Sequence, residues 1–127
     1  MKKILCLSKR RPQQRDLVTS PYGRFFNLPL ELSKLGHDVS LVLYSHRKDE
    51  EENGSYYNMR WHSLSVNPDP VSAYRKTRAI VRQLEPDWII GFSDTYYGAL
   101  AVTLANQFGA KSILDAYDNY TAYIQWA

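Results

Sequence analysis

The sequence has one cysteine and no long hydrophobic run, and these two shortages exclude several classes of protein. Cys6 has no second thiol, so an intrachain disulfide is excluded and a buried, reduced thiol is expected. The apolar stretch at residues 4–7 is too short for a signal-peptide core of about 7–15 residues or a spanning helix of about 20. We therefore expect a cytoplasmic protein.

Several signature motifs of enzymes are also missing. The sequence has neither a G-x-S-x-G elbow nor a G-x-x-x-x-G-K-[ST] loop, so the commonest serine hydrolase and P-loop classes are excluded. His46 and His62 have no cysteine or second histidine at ligand spacing, and no metal site is expected. The ten tyrosines are too scattered to form a stacking platform for nucleic acid, which is not expected as a partner.

The composition is that of one globular domain, and the charge is unevenly distributed along the sequence. The 127 residues are 44% hydrophobic and 23% charged. Residues 1–48 contain ten basic and three acidic side chains, a net charge of +7, whereas residues 49–69 have a net charge of −4. The first third of the chain is therefore the part expected to attract an anionic ligand or an anionic membrane surface.

Five β-rich segments alternate with helical patterns. Their order predicts an α/β domain with a Rossmann-like open parallel sheet and helices on both faces. The first strand is expected at the centre and the third near an edge. The predicted strands are residues 3–8, 37–44, 59–66, 88–92 and 111–115, and the helices lie between residues 21 and 36, 70 and 84, and 95 and 108.

Local signals refine these bounds. Gly36 and Gly109 are typical helix stops, and Asp69 before a proline is typical of a helix start. Pro29 favours a first helix that either begins late, near Asn27, or bends at the proline. Residues 9–19 are interpreted as a polar loop with Arg10, Arg11 and Arg15 exposed, and residues 46–55 as a solvated charged loop.

Three segments resemble the N-terminal domain of GT-B glycosyltransferases of the family 4 kind. Residues 22–39, from Tyr-Gly-Arg-Phe-Phe to Gly-His-Asp-Val, resemble that family's opening helix, which ends L-x-x-x-G-H-x-V, and its second strand. Residues 85–91 resemble its Pro-Asp-hydrophobic fourth strand, and residues 111–118 its next strand and loop. The sequence has a single glycine, Gly23, where the family usually has two, and Tyr117 where a histidine is common.

The resemblance implies half of a two-domain enzyme. Residues 1–127 would form one acceptor-side domain, and the C-terminal domain that binds the nucleotide-sugar donor would be absent, so this chain alone would be inactive. The apolar, aromatic residues 120–127 agree with a front part of a longer polypeptide. The whole enzyme would transfer a sugar, with retention, to a glycan or lipid-linked acceptor hydroxyl, and no metal or cofactor is expected. Electrostatic attachment of the basic first third of the chain to the inner face of the membrane is a separate, open option.

The loops that follow the strands contain the candidate site residues, because the carboxyl ends of parallel strands meet at one edge of the sheet. Lys9 and Arg10 are candidates for anion binding, or are only solubilising. Gly23 is a candidate for close backbone approach to the acceptor, or is only a turn glycine. Asp94 either binds an acceptor hydroxyl or caps the following helix.

The last loop supplies the remaining candidates. Asp118 and Tyr117 provide a carboxylate and an aromatic face of the kind that bind a sugar ring, and the alternative is a turn stabilised by Asp and Asn side chains. A second function also stays open, a non-catalytic α/β binding or assembly module. In that case the aromatic residues 117–126 would form the protein interface.

Overall fold

Strands and helices alternate along the computed structural model, which describes residues 1–12, 15–21, 23–92 and 95–115. Asp94, Tyr117 and Asp118 lie outside the described residues. The elements are β1 (Lys3–Lys9), α1 (Arg24–Lys34), β2 (Asp38–Ser45), β3 (Glu52–Tyr56), β4 (Met59–Ser65), α2 (Pro70–Leu84), β5 (Trp88–Phe92), α3 (Thr95–Phe108) and β6 (Lys111–Asp115).

The strands form one sheet in the order β3-β4-β2-β1-β5-β6. Strands β1, β2, β4, β5 and β6 are parallel, and only the edge strand β3 pairs antiparallel, with β4. Strands β2, β4 and β3 lie on one side of β1, and strands β5 and β6 lie on the other. The predicted Rossmann-like α/β fold with a central first strand is confirmed.

Alternating side chains of the central strands build two cores. Leu5 and Leu7 of β1 pack in the core under α2 and α3. Ile4 and Cys6 pack in the core under α1. Burial raises the pKa of the Cys6 thiol, with a smaller contribution from Asp115, so the expected buried, reduced thiol is confirmed. The apolar run of β1 thus reflects a strand that is covered on both faces.

The edge strand β3 is the main correction to the predicted fold. Residues 52–55 belong to the predicted solvated loop, yet they pair with β4. The predicted third strand, β4, is therefore not at the edge of the sheet. β3 is polar and contains Gly54, so it lacks a hydrophobic strand pattern. A Cβ at Gly54 would lie 2.7 Å from the Trp61 side chain, so the glycine makes room for the indole across the strand pair.

The helix ends follow the local signals, whereas the start of α1 does not. The Asp69 carboxylate accepts a hydrogen bond from the Ser72 amide at 3.1 Å, which confirms the predicted cap of α2. Gly36 has a φ of 95° and ends α1 as predicted. The helix α1 starts at Arg24 and contains Pro29, so of the two predicted alternatives the late start near Asn27 is wrong. Packing of the α1 apolar face therefore outweighs the backbone hydrogen bond that proline cannot make.

We predict that Gly91→Ala destabilises the fold by about 1–3 kcal/mol, because overpacking of a closed contact costs that much. A Cβ at Gly91 would lie 2.2 Å from the carbonyl oxygen of Tyr97, so α3 and β5 would have to separate. Urea denaturation measures the change. Ser112→Ala, at an exposed position on β6, is the control, and equal stability of the two variants would contradict the prediction.

Candidate functional site

The candidate site lies at the carboxyl edge of the sheet, where the strand order reverses between β1 and β5. In open α/β sheets this crevice is where ligands bind, because the loops after the two strands diverge to opposite faces. The structure brings Lys9, at the end of β1, and Gly23, at the start of α1, to this edge. Of the six predicted site residues it thus describes these two and Arg10.

Gly23 occupies a backbone conformation that is essentially restricted to glycine, with φ 71° and ψ −172°. Its carbonyl oxygen accepts the first helical hydrogen bond of α1 from the Asn27 amide at 2.8 Å, and no side chain caps the helix. A Cβ added here would meet no described atom within 4 Å, so the space in front of Gly23 is open. The conformation explains the glycine locally, and the open space leaves room for a ligand.

Arg10 is not an exposed cation, so the prediction of an exposed side chain is wrong. The residue is 3% exposed. Its guanidinium binds Asp16 with two hydrogen bonds of 3.0 and 3.1 Å and Ser63 with one of 2.8 Å, and it forms an ion pair of 2.8 Å with Glu52. Its donors are used within the chain, so the anion binding predicted for Arg10 stays a prediction that must compete with these carboxylates.

Arg11 is fixed in the same way, by Glu50. Two hydrogen bonds of 2.5 and 2.6 Å join the guanidinium to both oxygens of Glu50, and a third of 3.2 Å reaches Asp16. The hydrogen bonds from Arg11 lower the pKa of Glu50 to about 2, against a smaller opposing effect of burial, and the Ser45 hydroxyl adds to the decrease. Burial of Asp16 disfavours its charged form, but Arg10 and the Val18 amide outweigh it and lower its pKa.

These side chains form one polar network that joins the loops after β1 and β2 with strands β2, β3 and β4. We call it the arginine network; it consists of Arg10, Arg11, Asp16, Ser45, Glu50, Glu52 and Ser63. It links the loop after β1 to the loop after β2, to the edge strand β3 and to its neighbour β4. The network therefore fixes the shape of the carboxyl edge on the β2 side of β1.

A cavity of about 120 Å³ opens beside the arginine network. It lies at the carboxyl ends of β1 and β2, and its lining residues are Lys9, Arg11, Tyr44, Ser45, His46 and Arg47. His46 and Arg47 belong to the predicted solvated loop of residues 46–55 and are not among the predicted site residues. The available signal was their position, because they directly follow a parallel strand that ends at the binding edge.

Aromatic side chains form the wall next to this cavity, on the α3 side. The Tyr44 hydroxyl is 2.8 Å from the Thr77 hydroxyl, whose proton is donated to the Ala73 carbonyl, so Tyr44 is the donor. The Tyr44 ring stacks on Tyr97 at 5.5 Å. Tyr96, in the first turn of α3, is 57% exposed and contacts Tyr97 edge-on, so it presents an aromatic ring at the same edge.

The described residues contain neither a metal-binding cluster nor a membrane-spanning helix. In residues 1–12, 15–21, 23–92 and 95–115, no group of three or more His, Cys, Asp and Glu side chains is arranged to hold a metal ion. In the same part of the chain, no helix combines the length and apolar character that crossing a bilayer requires.

We predict that acid destabilises the protein through Glu50 and Asp16. Their pKa values are lower in the folded state, so their contribution is fully present above their ordinary range and is lost as the pH falls from about 4.5 toward about 2. Glu50→Gln should cost about 1.5–3 kcal/mol at pH 7, the value of a hydrogen bond to a charged group, and flatten the decrease in unfolding free energy below pH 4.5.

Urea denaturation at neutral and acidic pH measures both effects. The control is Glu31→Gln, which removes a largely exposed carboxylate that pairs with Lys34 at 3.4 Å. Equal acid sensitivity of the Glu50 variant and the wild-type chain would show that the arginine network does not carry the pH dependence.

Comparisons with known proteins show the fold. No protein-family model matches the sequence, and no curated protein matches it. Two solved structures are similar. A sucrose-phosphate synthase from Thermosynechococcus elongatus matches with a TM-score of 0.72 and 12% identity, over 98% of this chain and 35% of that chain. The C-terminal domain of a Pyrococcus furiosus hydrogenase, PF1911, matches with a TM-score of 0.57 and 12% identity, over 90% of each chain.

The match to the synthase is limited in length and in sequence identity. The chain spans about a third of the length of the synthase, whose chain has the GT-B architecture. At 12% identity the similarity extends to the course of the backbone and not to the side chains. The chain therefore has a GT-B-like, Rossmann-type α/β fold.

Proposed function

We propose that this chain is the acceptor-side domain of a cytoplasmic GT-B glycosyltransferase. The whole enzyme would move a sugar from a nucleotide-diphosphate sugar to an acceptor hydroxyl, with retention of configuration. A second domain, outside residues 1–127, would bind the donor. The match of nearly the whole chain to about a third of a sucrose-phosphate synthase supports this division.

The observation that carries the proposal is the open crevice at the reversal of strand order. Gly23 lines it with backbone and no side chain, and Tyr96 presents a ring at the same edge. We propose that the acceptor binds here, with its reacting hydroxyl directed away from the sheet toward the donor domain. Asp94, Tyr117 and Asp118 follow β5 and β6 in the sequence and are proposed to complete the acceptor site.

The chemistry divides between the two domains. The acceptor hydroxyl oxygen forms the new bond to the anomeric carbon, the bond from that carbon to the diphosphate oxygen breaks with its electron pair leaving on the diphosphate, and the hydroxyl proton passes to the departing diphosphate. Fixed positive groups stabilise the charge that develops on the departing diphosphate, and we propose that most of them belong to the donor domain. The present domain then orients the acceptor, which raises the rate by positioning, and needs no metal or cofactor.

We predict that this chain binds its acceptor but not the donor. Calorimetric titration of the isolated chain with a panel of nucleotide sugars should show little binding. The protein encoded by the complete reading frame should form glycosylated product with one member of the panel, detected by mass spectrometry. Tight donor binding by this chain, or the absence of product with every donor, would contradict the proposal.

Gly23→Ala tests the acceptor role directly. In the complete protein we expect KM for the acceptor to rise at least several-fold, since a methyl group enters the open space in front of Gly23, while KM for the donor stays unchanged. Gly109→Ala is the matched control, because Gly109 has a φ of 72° and open space but lies at the opposite edge of the sheet, before β6. Equal kinetic changes in both variants would assign Gly23 to folding alone.

A specific observation favours the second candidate, a non-catalytic α/β module. The hydrogenase domain matches this chain over 90% of each length, so the same fold occurs as a domain of similar size in a protein described as a hydrogenase. The module hypothesis expects no sugar transfer by the complete protein and a protein partner at the sheet edge. Product formation in the assay above would exclude it.

A further inference from the structure

Strand β6 forms an edge of the sheet with apolar side chains on both of its faces. Among the described strands it pairs with β5 alone, so no described strand lies beside its other edge. Ile113 and Leu114 point to opposite faces and are 42% and 48% exposed, although edge strands are usually protected by charge or by a covering element. We infer that two copies of this chain pair through β6, antiparallel, about a two-fold axis at Ile113. The inference does not depend on the proposed function.

The backbone of β6 supplies the hydrogen-bonding groups that this pairing requires. The Lys111 amide donates to the Asp87 carbonyl at 3.0 Å, and in a parallel ladder every second residue bonds to the same neighbouring strand. The N–H and C=O groups of Ser112 and Leu114 therefore face away from β5. In the antiparallel pair, Ser112 of each copy lies opposite Leu114 of the other. Each such pair of residues can exchange two backbone hydrogen bonds, so the register uses the groups that face outward.

The sequence of β6, Lys-Ser-Ile-Leu-Asp, has charges that match when the strand is paired with its own reverse. With Ile113 opposite Ile113 of the second copy, Lys111 lies opposite Asp115 of that copy on the same face of the sheet. Opposite charges in such a cross-strand pair are stabilising, whereas like charges are destabilising. A parallel pairing in the same register would instead place the two Lys111 side chains together. The antiparallel register therefore gives every charge of β6 an opposite charge, and its two halves are identical, as a two-fold axis requires.

The second copy would also cover apolar surface on both faces of the sheet. On one face, the two Ile113 side chains meet at the axis, where the Cα atoms of a pair without backbone hydrogen bonds are about 4.5 Å apart. On the other face, Leu114 packs against Gly98 of α3, where an added Cβ would lie 2.6 Å from the leucine. Val102 follows Gly98 by one helical turn on the same side of α3 and is 47% exposed. Pairing would remove these apolar groups from water.

The opposite edge strand, β3, lacks both of these properties. It contains no aliphatic residue, and its one charged side chain, Glu52, pairs with the buried Arg10. A reversed copy of β3 would therefore offer it neither an opposite charge nor an aliphatic contact. Pairing through β6 uses the side of the sheet and not its carboxyl edge, so the crevice between β1 and β5 stays accessible in each copy. The two crevices of the dimer would face in opposite directions, because the paired strands are antiparallel.

Analytical ultracentrifugation of the 127-residue chain over a concentration series measures the association. Two strands of 5 residues bury less than the roughly 1,600 Å² of a standard interface, so we expect a weak dimer that forms at high micromolar concentration. Ile113→Lys should abolish it, because two like charges then meet at the axis. The matched control is Leu35→Lys, which adds the same charge at a position that is 75% exposed at the end of α1 and should dimerise like the wild-type chain. A chain that stays monomeric at millimolar concentration, or equal loss of the dimer in both variants, would overturn the inference.

Cysteine cross-linking tests the register without changing a charge. Ile113→Cys should give a disulfide-linked dimer on mild oxidation, because Cα atoms about 4.5 Å apart lie within the range that a disulfide spans. Leu114→Cys is the control on the same strand, since its Cα atoms would be about 9 Å apart, beyond the roughly 7 Å limit. The native Cys6 is fully buried and should not react. Equal cross-linking of both variants on a non-reducing gel, or none with Ile113→Cys, would contradict the register.

Exchange of the two charges separates pairing from folding. Lys111→Asp should weaken the dimer at least several-fold, because carboxylates then face each other, and Lys111→Asp combined with Asp115→Lys should restore it. Within its own copy Lys111 lies over the Trp88 ring at 5.1 Å, and loss of that contact alone would not be repaired by the second substitution. Circular dichroism verifies that each variant is folded. A folded double variant that remains as weakly associated as Lys111→Asp would refute the proposed pairing, whereas failure of the proposed function would appear as absent sugar transfer with the dimer intact.

Discussion

The burial of the Arg10 guanidinium is the constraint on which the carboxyl edge of the sheet depends. A charged group removed from water is strongly destabilising unless its donors are satisfied and its charge is balanced. Asp16, Ser63 and Glu52 meet this requirement from three separate parts of the chain. The loop after β1, the edge strand β3 and strand β4 must therefore adopt one mutual arrangement. Arg10 also donates its amide to the Tyr44 carbonyl at 2.9 Å, which extends the parallel pairing of β1 and β2 by one residue.

This arrangement explains the uneven charge of the sequence. The +7 of residues 1–48 and the −4 of residues 49–69 suggest an anion-binding surface beside an unrelated acidic loop. In the folded chain, two of those acids, Glu50 and Glu52, neutralise arginines of the basic segment. Much of the asymmetry is thus internal compensation between segments that are distant in sequence.

The sequence patterns that predicted the structure correctly are those that involve neighbouring residues. The apolar run of β1 and the Asp69 cap each depend on residues within a few positions of one another, so their signals survive in a single sequence. The Gly36 stop follows the same rule, since the amides of Gly36 and His37 bond to carbonyls of the last turn at 3.0 and 3.2 Å.

The features that could not be predicted depend on distant partners. Strand β3 has a polar, glycine-containing sequence and exists because β4 offers it an edge and Trp61 covers Gly54. Arg10 is buried only because the carboxylates of Asp16 and Glu52 meet it there. The same limit applies to the site. Lys9 and Gly23 could be selected from the strand order, whereas His46 and Arg47 line a cavity that they share with Lys9 and Arg11, which are distant in sequence.

The central strand β1 connects the crevice and the cavity mechanically. It pairs with β2 over seven residues and with β5 over four, so the positions of both neighbouring crevices are set by the same segment of backbone. On the β5 side, the close approach of α3 to Gly91 leaves little freedom for the two elements to move apart. On the β2 side, the arginine network gives the loops a fixed shape. The crevice beyond β1 and β5 and the cavity beyond β1 and β2 therefore keep a constant separation, because strand pairing rather than loop flexibility sets the distance between them.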